Sequence, residues 1–200
     1  DTQTVVITVT GTNDTPVISE EAGDSAIVTI AETDAGLTAT DTLTITDLDQ
    51  SNTVAVEVSS VAIQAGSATA GLVPDNATLE GMLTLTPASP ANVLDNTETS
   101  DTFLWTFDSG GEAFDYLAVG ESLVLEYTVT ATDSETTTDT QLVTVTITGT
   151  NDDPAITVGG GNSAADTLTE TDATLTSTGT LSVEDLDTTD EVTVAVSSVL

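Results

Sequence analysis

Alternation with a period of two runs through this chain. In "TVVITVT", Val5, Ile7 and Val9 fall on one side and Thr4, Val6, Thr8 and Thr10 on the other, the pattern of a strand with one buried face. "ESLVLEYTVTAT" sends Leu123, Leu125, Tyr127, Val129 and Ala131 inward, "FLWTF" does so with Phe103, Trp105 and Phe107, and Val143, Val145 and Ile147 alternate with Thr144, Thr146 and Thr148. Shorter runs at Ala26–Ile30, Thr42–Thr46, Val54–Val61 and Leu83–Thr86 complete a set of about seven or eight strands, rich in Val, Ile and Thr and bounded by Gly, Asp, Asn and Pro. Helical periodicity is nearly missing; "GEAFDYLAVG", Gly111 to Gly120, has room for a turn or two. The expected fold is all-β: two antiparallel sheets packed face to face, each strand burying one side. The regular Thr-x-Thr rows are read as the solvent side of such a sheet rather than as a surface that orders water against ice. The stretch 62–102 is longer than a simple sandwich needs and is expected to be an ornamented loop region around one strand.

The pattern also repeats. "DTQTVVITVTGTNDTPVI" from Asp1 matches "DTQLVTVTITGTNDDPAI" from Asp139, a period of 138. The same offset carries "ETDAGLTATDTLTITDLD" at Glu32 onto "ETDATLTSTGTLSVEDLD" at Glu170, and "VAVEVSSV" at Val54 onto "VTVAVSSV" at Val192. Roughly half of the overlapped positions are identical, which marks a duplication. A unit of that length is too long for a solenoid coil and suits an independently folding domain. The expected organisation is the last strand of one repeat (1–13), a complete sandwich (14–150) and the opening part of a further repeat (151–200).

Composition narrows the function. The 200 residues include 34 Asp plus Glu and no Lys, Arg or His, a formal net charge of −34. Without cations the chain has nothing to displace counterions from phosphate, so nucleic acid is excluded as a partner, and attachment to anionic lipid fails for the same reason. No apolar run is long enough to span a bilayer, so no direct membrane insertion is expected. The chain opens on Asp1 with no charged n-region and apolar stretch, which puts any targeting signal outside it. Cys is absent, so no disulfide holds the fold. Such acidity often means disorder, but 38% apolar residues in alternating runs are enough to build a core. The six aromatics, Phe103, Trp105, Phe107, Phe114, Tyr116 and Tyr127, cluster in one stretch and point to a single compact core.

The acidic residues have a place in that picture. In a sandwich with its chain ends at opposite poles, one pole of the complete repeat gathers Glu32 and Asp34, with Asp108, Asp115 or Glu121 as further options, beside the linker's Asn151, Asp152 and Asp153. The next repeat adds Asp185 and Asp187 from "DLD". The opposite pole gathers Asn13, Asp14, Asp47 and Asp49 with Asp133 and Glu135. Calcium takes six to eight oxygens, several from carboxylates, with Asn and backbone carbonyls completing the number. Clustered carboxylates without Lys or Arg repel one another, and a divalent cation (Ca2+) is the evident relief. Taken singly, "TND" is ordinary turn chemistry and each acidic residue is an ordinary solvated charge; their recurrence at one offset is what points to metal. Asp75, Asp95, Glu98 and Asp101 are read as plain solvated charge.

"GTNDDP" followed by a strand and a downstream "DLD" resembles the cadherin linker pattern. "FLWTFDSGGEAFDYLAVGESLVLEYTVTATDSETTTDTQLVTVTITGTNDDP", Phe103 to Pro154, resembles VCBS-type, cadherin-like tandem repeats of large secreted bacterial adhesins of the RTX, type I-exported kind. The resemblance implies an extracellular or cell-surface setting and a structural extender role in adhesion or biofilm formation, with neighbouring repeats as partners and any surface glycan or protein bound through other domains. It carries ligand roles onto Asn151, Asp152, Asp185 and Asp187. The cadherin Asp-Arg-Glu motif has no counterpart here, so that the site beside the linker either has fewer ligands or uses Asp115 or Glu121 instead.

An alternative is a ligand-binding module acting on a glycan or protein through 62–102. An enzyme is not expected. With no His, Cys or Lys the usual bases and nucleophiles are missing, and so few aromatics suggest no sugar-lined cleft.

Overall fold

The computed structural model describes residues 1–89 and 91–198. The last two residues of the 151–200 segment, including Val199 of the repeated "VTVAVSSV", lie outside the described residues. Residues 14–150 form an all-β sandwich. One sheet has the order β1 (Val17–Ser19), β3 (Thr38–Thr46), β7 (Ser100–Asp108), β5 (Leu83–Thr86), and the other the order β2 (Ile27–Ala31), β9 (Thr138–Thr148), β8 (Ser122–Asp133), β4 (Val54–Ile63), β6 (Asn92–Leu94). All pairings inside the two sheets are antiparallel except β2 with β9, which run parallel from Ile27↔Thr144 to Ala31↔Thr148. The chain therefore changes sheet between β1 and β2.

The core follows the alternation. Leu123, Leu125, Tyr127, Val129, Ala131, Val143, Val145 and Ile147 are fully buried, facing Leu43, Ile45, Phe103, Trp105 and Phe107 of the other sheet. All six aromatics are buried, with Phe107 and Tyr127 edge to face at 6.4 Å, a favoured geometry for aromatic pairs. Trp105 donates its indole N–H to the Ser25 carbonyl at 2.8 Å, so the largest core residue leaves no orphan donor.

Several expectations are corrected. Segment 62–102 is more structured than a loop region: besides the end of β4 it holds α1 (Asn76–Gly81), β5, β6 and the start of β7. Asp75 is not idle charge; as N-cap of α1 it accepts from the Thr78 amide at 2.8 Å. Asp95 likewise turns its loop by accepting the Thr97 amide at 2.8 Å. Segment 111–120 forms successive turns and no helix, with Phe114 at φ 65° and its ring fully buried. Apart from these corrections, residues 1–13, expected as the last strand of a preceding repeat, are unpaired here, and Val5, Ile7 and Val9 are exposed. Their copy, β9, lies between β8 and β2 and bonds to both; in this chain residues 1–13 meet no such neighbours, and a strand without partners leaves its backbone groups unpaired.

Beyond the linker, β10 (Ala155–Thr157) pairs with β11 (Ser182–Glu184) as Ala155↔Glu184 to Thr157↔Ser182. That register is the one β1 makes with β3, Val17↔Thr46 to Ser19↔Thr44, moved on by one repeat. The second unit thus opens as the first does. The "VTVAVSS" run, the copy of β4, is not a strand, because β8, the strand that pairs with β4 along its length, has no equivalent beside it.

Candidate functional site

The two ends of the complete sandwich collect the acidic residues. At the entry pole, the β3–β4 loop, the β8–β9 hairpin and the incoming segment meet. Asn13 donates its side-chain N–H to Asp133 Oδ2 at 2.8 Å and to Thr137 Oγ1 at 3.1 Å, while Asn52 donates to Asn13 Oδ1 at 2.6 Å. The Asp14 amide donates to Asp49 Oδ2 at 2.6 Å, and the Asp49 amide donates to Asp47 Oδ1 at 2.9 Å. Asp47 is 3% exposed, and its Oδ2 has no hydrogen-bond partner. Burial, followed by the negative charges of Asp49, Asp133 and Asp14, pushes its carboxyl up from the usual range despite the Asp49 amide. Asp133 shows the opposite balance. Burial raises it, but the Thr137 hydroxyl, the Asn13 amide and two backbone N–H groups outweigh this and hold it below the usual range. Glu135 lies exposed on the same hairpin.

At the exit pole, the β2–β3 loop, the 111–120 turns, the linker and the second unit's "DLD" meet. Glu32, only 2% exposed, accepts from the Thr150 amide at 2.8 Å and from the Thr150 hydroxyl. The Asp152 amide donates to Asp187 Oδ2 at 2.9 Å, and the Asp187 amide donates to Asp185 Oδ1 at 3.2 Å. These are the Asp14–Asp49 and Asp49–Asp47 bonds over again, one repeat further on. Asp187 is 1% exposed inside an otherwise open unit.

Three buried carboxylate oxygens at this pole, Asp115 Oδ1, Asp152 Oδ2 and Asp187 Oδ1, have no hydrogen-bond partner. Burial first, then the charges of Glu32, Asp115, Asp187 and Asp34, raises Asp152; burial, Glu32, Asp34 and Glu112 raise Asp115.

Of the residues singled out in the sequence, Asn13, Asp14, Asp47, Asp49 and Asp133 come together at one pole, and Glu32, Asp152, Asp185 and Asp187 at the other, with Asp34 exposed nearby. Asp115, carried in the sequence only as an option, is part of this second group. Asn151 turns onto its own linker, donating to the Asp152 carbonyl at 2.9 Å, and Asp153 is exposed. Asp108 instead accepts the Gly110 amide at 2.8 Å, and Glu121 the Ala118 amide at 3.1 Å. Sequence reasoning missed Asn52, Thr137 and Thr150, neutral turn residues whose only signal was their place beside the acidic motifs. Among the described residues no group of three or more acidic side chains is placed so that it could hold a metal ion as it stands. What the poles offer is a donor set of carboxylates and Asn amides with four unpartnered, buried oxygens, which matches the hard-oxygen chemistry of calcium.

No protein-family model matches the chain, and no curated protein matches it. Solved structures similar to it include a PapD-like domain of human CEP192, at 12% identity and TM-score 0.41, covering 74% of this chain and 94% of that one. A second is the CooA pilin subunit of enterotoxigenic Escherichia coli, at 13% identity and TM-score 0.40, covering 70% and 100%. A third is the sialic-acid-binding region of a Streptococcus sanguinis SK1 adhesin bound to 3'sLn, at 16% identity and TM-score 0.37, covering 74% of this chain and 34% of that one. At this distance nothing about function follows from the likeness, and the fold stands on this chain's own two sheets. No helix among the described residues is long and apolar enough to cross a membrane.

Proposed function

We propose that the chain is a length of extracellular stalk: tandem β-sandwiches whose joints are stiffened by calcium and whose role is to extend an adhesive end from a bacterial surface. The observation that carries this reading is the buried Asp187, with Asp152 and Asp115 half-buried near it, each with one buried oxygen that no protein donor reaches. Leaving buried carboxylate oxygens unpaired is costly, and this chain contains no Lys, Arg or His to relieve them.

Calcium would be held at the exit pole by Asp115, Asp152 and Asp187 with Glu32, Asp34, Asn151, Asp153 and Asp185 beside them, and at the entry pole by Asp14, Asp47 and Asp49 with Asn13, Asp133 and Glu135. Bound there, it supplies the positive charge that lets side chains of adjoining units share one place. The protein's own part is to fix the loops through the Glu32–Thr150 and Asp14–Asp49 bonds. Extracellular calcium modules bind at ~10⁻⁴–10⁻³ M, which keeps such joints loose in a cytosol and rigid outside it. The VCBS-like motif and the absence of Cys accord with a repetitive, type I-exported adhesin of biofilm-forming bacteria. Segment 62–102 is taken up by β5, β6 and a helix that packs on β4 and β5, which favours an extender over a binding loop. An enzymatic role has no His, Cys or Lys to rest on.

The test is a calcium titration of the 200-residue chain by calorimetry, with melting temperature and small-angle scattering followed in parallel. Uptake at sub-millimolar to millimolar calcium, a higher melting temperature and a longer, narrower particle support the reading. A chain that takes up no calcium, or whose melting and shape ignore it, overturns it.

A further inference from the structure

The two units also touch directly, away from the carboxylates. Thr188, just past the "DLD" of the second unit, donates its hydroxyl to the Ala70 carbonyl at 2.9 Å, and its amide points at the Tyr116 carbonyl at 3.4 Å. The loop that receives it is held on both sides. The Ala68 amide donates to the Ser122 carbonyl at 2.8 Å, Ser67 Oγ accepts from the Val124 amide at 3.0 Å, and Tyr116 Oη donates to the Ala68 carbonyl at 3.0 Å. Tyr116 is buried. At Gly71, where φ is +101°, a Cβ would lie 2.7 Å from Tyr116 Cβ and 2.9 Å from the Thr188 methyl. Gly71 is thus required first by its own backbone and by Tyr116 of the same sandwich, and Thr188, itself exposed, comes to rest against the same spot.

We infer that the loop Ser67–Leu72 is a socket for the following unit and that Thr188 is its key, setting the angle of the joint by protein–protein contact. This gives part of segment 62–102 a task. It rests on reading the linker as a joint between modules, but not on a cation. The position one repeat before Thr188 is Gln50, whose side chain donates to Thr97 O of its own sandwich at 2.9 Å.

Because the chain has no native Cys, nitroxide labels at Glu57→Cys and Thr176→Cys report the distance between units by pulsed electron resonance at saturating calcium. The parent chain should give one narrow distance, and Thr188→Ser should keep it. Thr188→Val keeps the shape but loses the hydroxyl. It should raise the population outside the main peak roughly fivefold, the equivalent of one hydrogen bond of about 1 kcal/mol, while calcium uptake stays that of the parent. Gly71→Ala should broaden the distance further; if it unfolds the first sandwich instead, Thr188→Val decides. A broad parent distribution, or a Thr188→Val distribution identical to the parent's, overturns the socket. If the chain takes up no calcium while Thr188→Val still broadens the distance, the calcium reading falls and the socket stands.

Discussion

The amide of Asp152 donates to the carboxylate of Asp187 at 2.9 Å, tying the linker to the unit that follows it. Asp14 and Asp49 make the same bond at 2.6 Å at the entry pole. One amide satisfies one oxygen. The second oxygen of Asp187 stays buried and unpartnered, close to Asp152, whose own carboxyl is raised by burial and by the charges of Glu32, Asp115, Asp187 and Asp34.

Removing that oxygen separates the joint from the sandwich. If the proposed calcium joint exists, Asp187→Ala should abolish both the lengthening that the proposal expects from scattering on adding calcium and calorimetric uptake at the exit pole. Calcium at ~100 times its dissociation constant adds roughly 2.7 kcal/mol per site, so the sandwich 14–150 should keep the share of stabilisation that comes from its entry pole. An unchanged scattering response in Asp187→Ala would argue against a joint site.

At the entry pole, Asp47→Asn should act in opposite directions with and without metal. Asn keeps an oxygen for the Asp49 amide but removes a buried charge facing Asp14, Asp49 and Asp133. In chelator the variant should melt a few degrees higher, about 4 °C per kcal/mol for a domain of this size. In calcium it should melt lower than the parent. Curves that keep the same order in both buffers would show that the charge is not held for a cation.

Gly149 and Gly11 occupy the same place in the repeated "GTND" motif but should respond differently to alanine. A Cβ at Gly149 would run into the backbone carbonyl oxygens of Ala118 and Leu117, whereas nothing lies within 4 Å of one at Gly11. Gly149→Ala should cost at least about 2 kcal/mol, in the range of an overpacked site, and Gly11→Ala less than about 0.5 kcal/mol. Urea denaturation of both variants measures the contrast.

Asp24 carries a pH dependence of known sign. Burial raises its carboxyl, but the hydroxyls of Thr42 at 2.6 Å and Thr44 at 2.7 Å, with backbone N–H groups, hold it below its usual value. Its contribution is therefore present above the unfolded value of about 3.9 and is lost as pH falls through the lower folded value. Half-exposed as it is, solvent screening reduces its worth to about 1 kcal/mol. Asp24→Ala should be less stable than the parent by that amount at neutral pH, and the gap should close below pH ~4. A gap that persists once pH has fallen through the lower folded value would assign the loss to packing.

The strand faces, the aromatic core and the repeat were legible because they are local. Successive side chains of a strand point to opposite sides, so Leu123 to Ala131 and Phe103 to Phe107 announce their burial in their own spacing. That the carboxylates are unneutralised was equally plain from a chain with no cation. Their grouping at two poles was legible from strand order, but which of them would be buried was not. Nothing local distinguishes Asp187, 1% exposed, from Asp153, which stays in solvent, or Asp115, which joins the exit pole, from Asp108 and Glu121, which bond within their own turns. Glu32, Asp115, Asp152 and Asp187 become neighbours only when the sheets close and four separate stretches of chain arrive at one end. The alternation of side chains is fixed by covalent geometry, residue by residue. The company that a charge keeps is fixed by where distant loops end, and only the folded sandwich decides that.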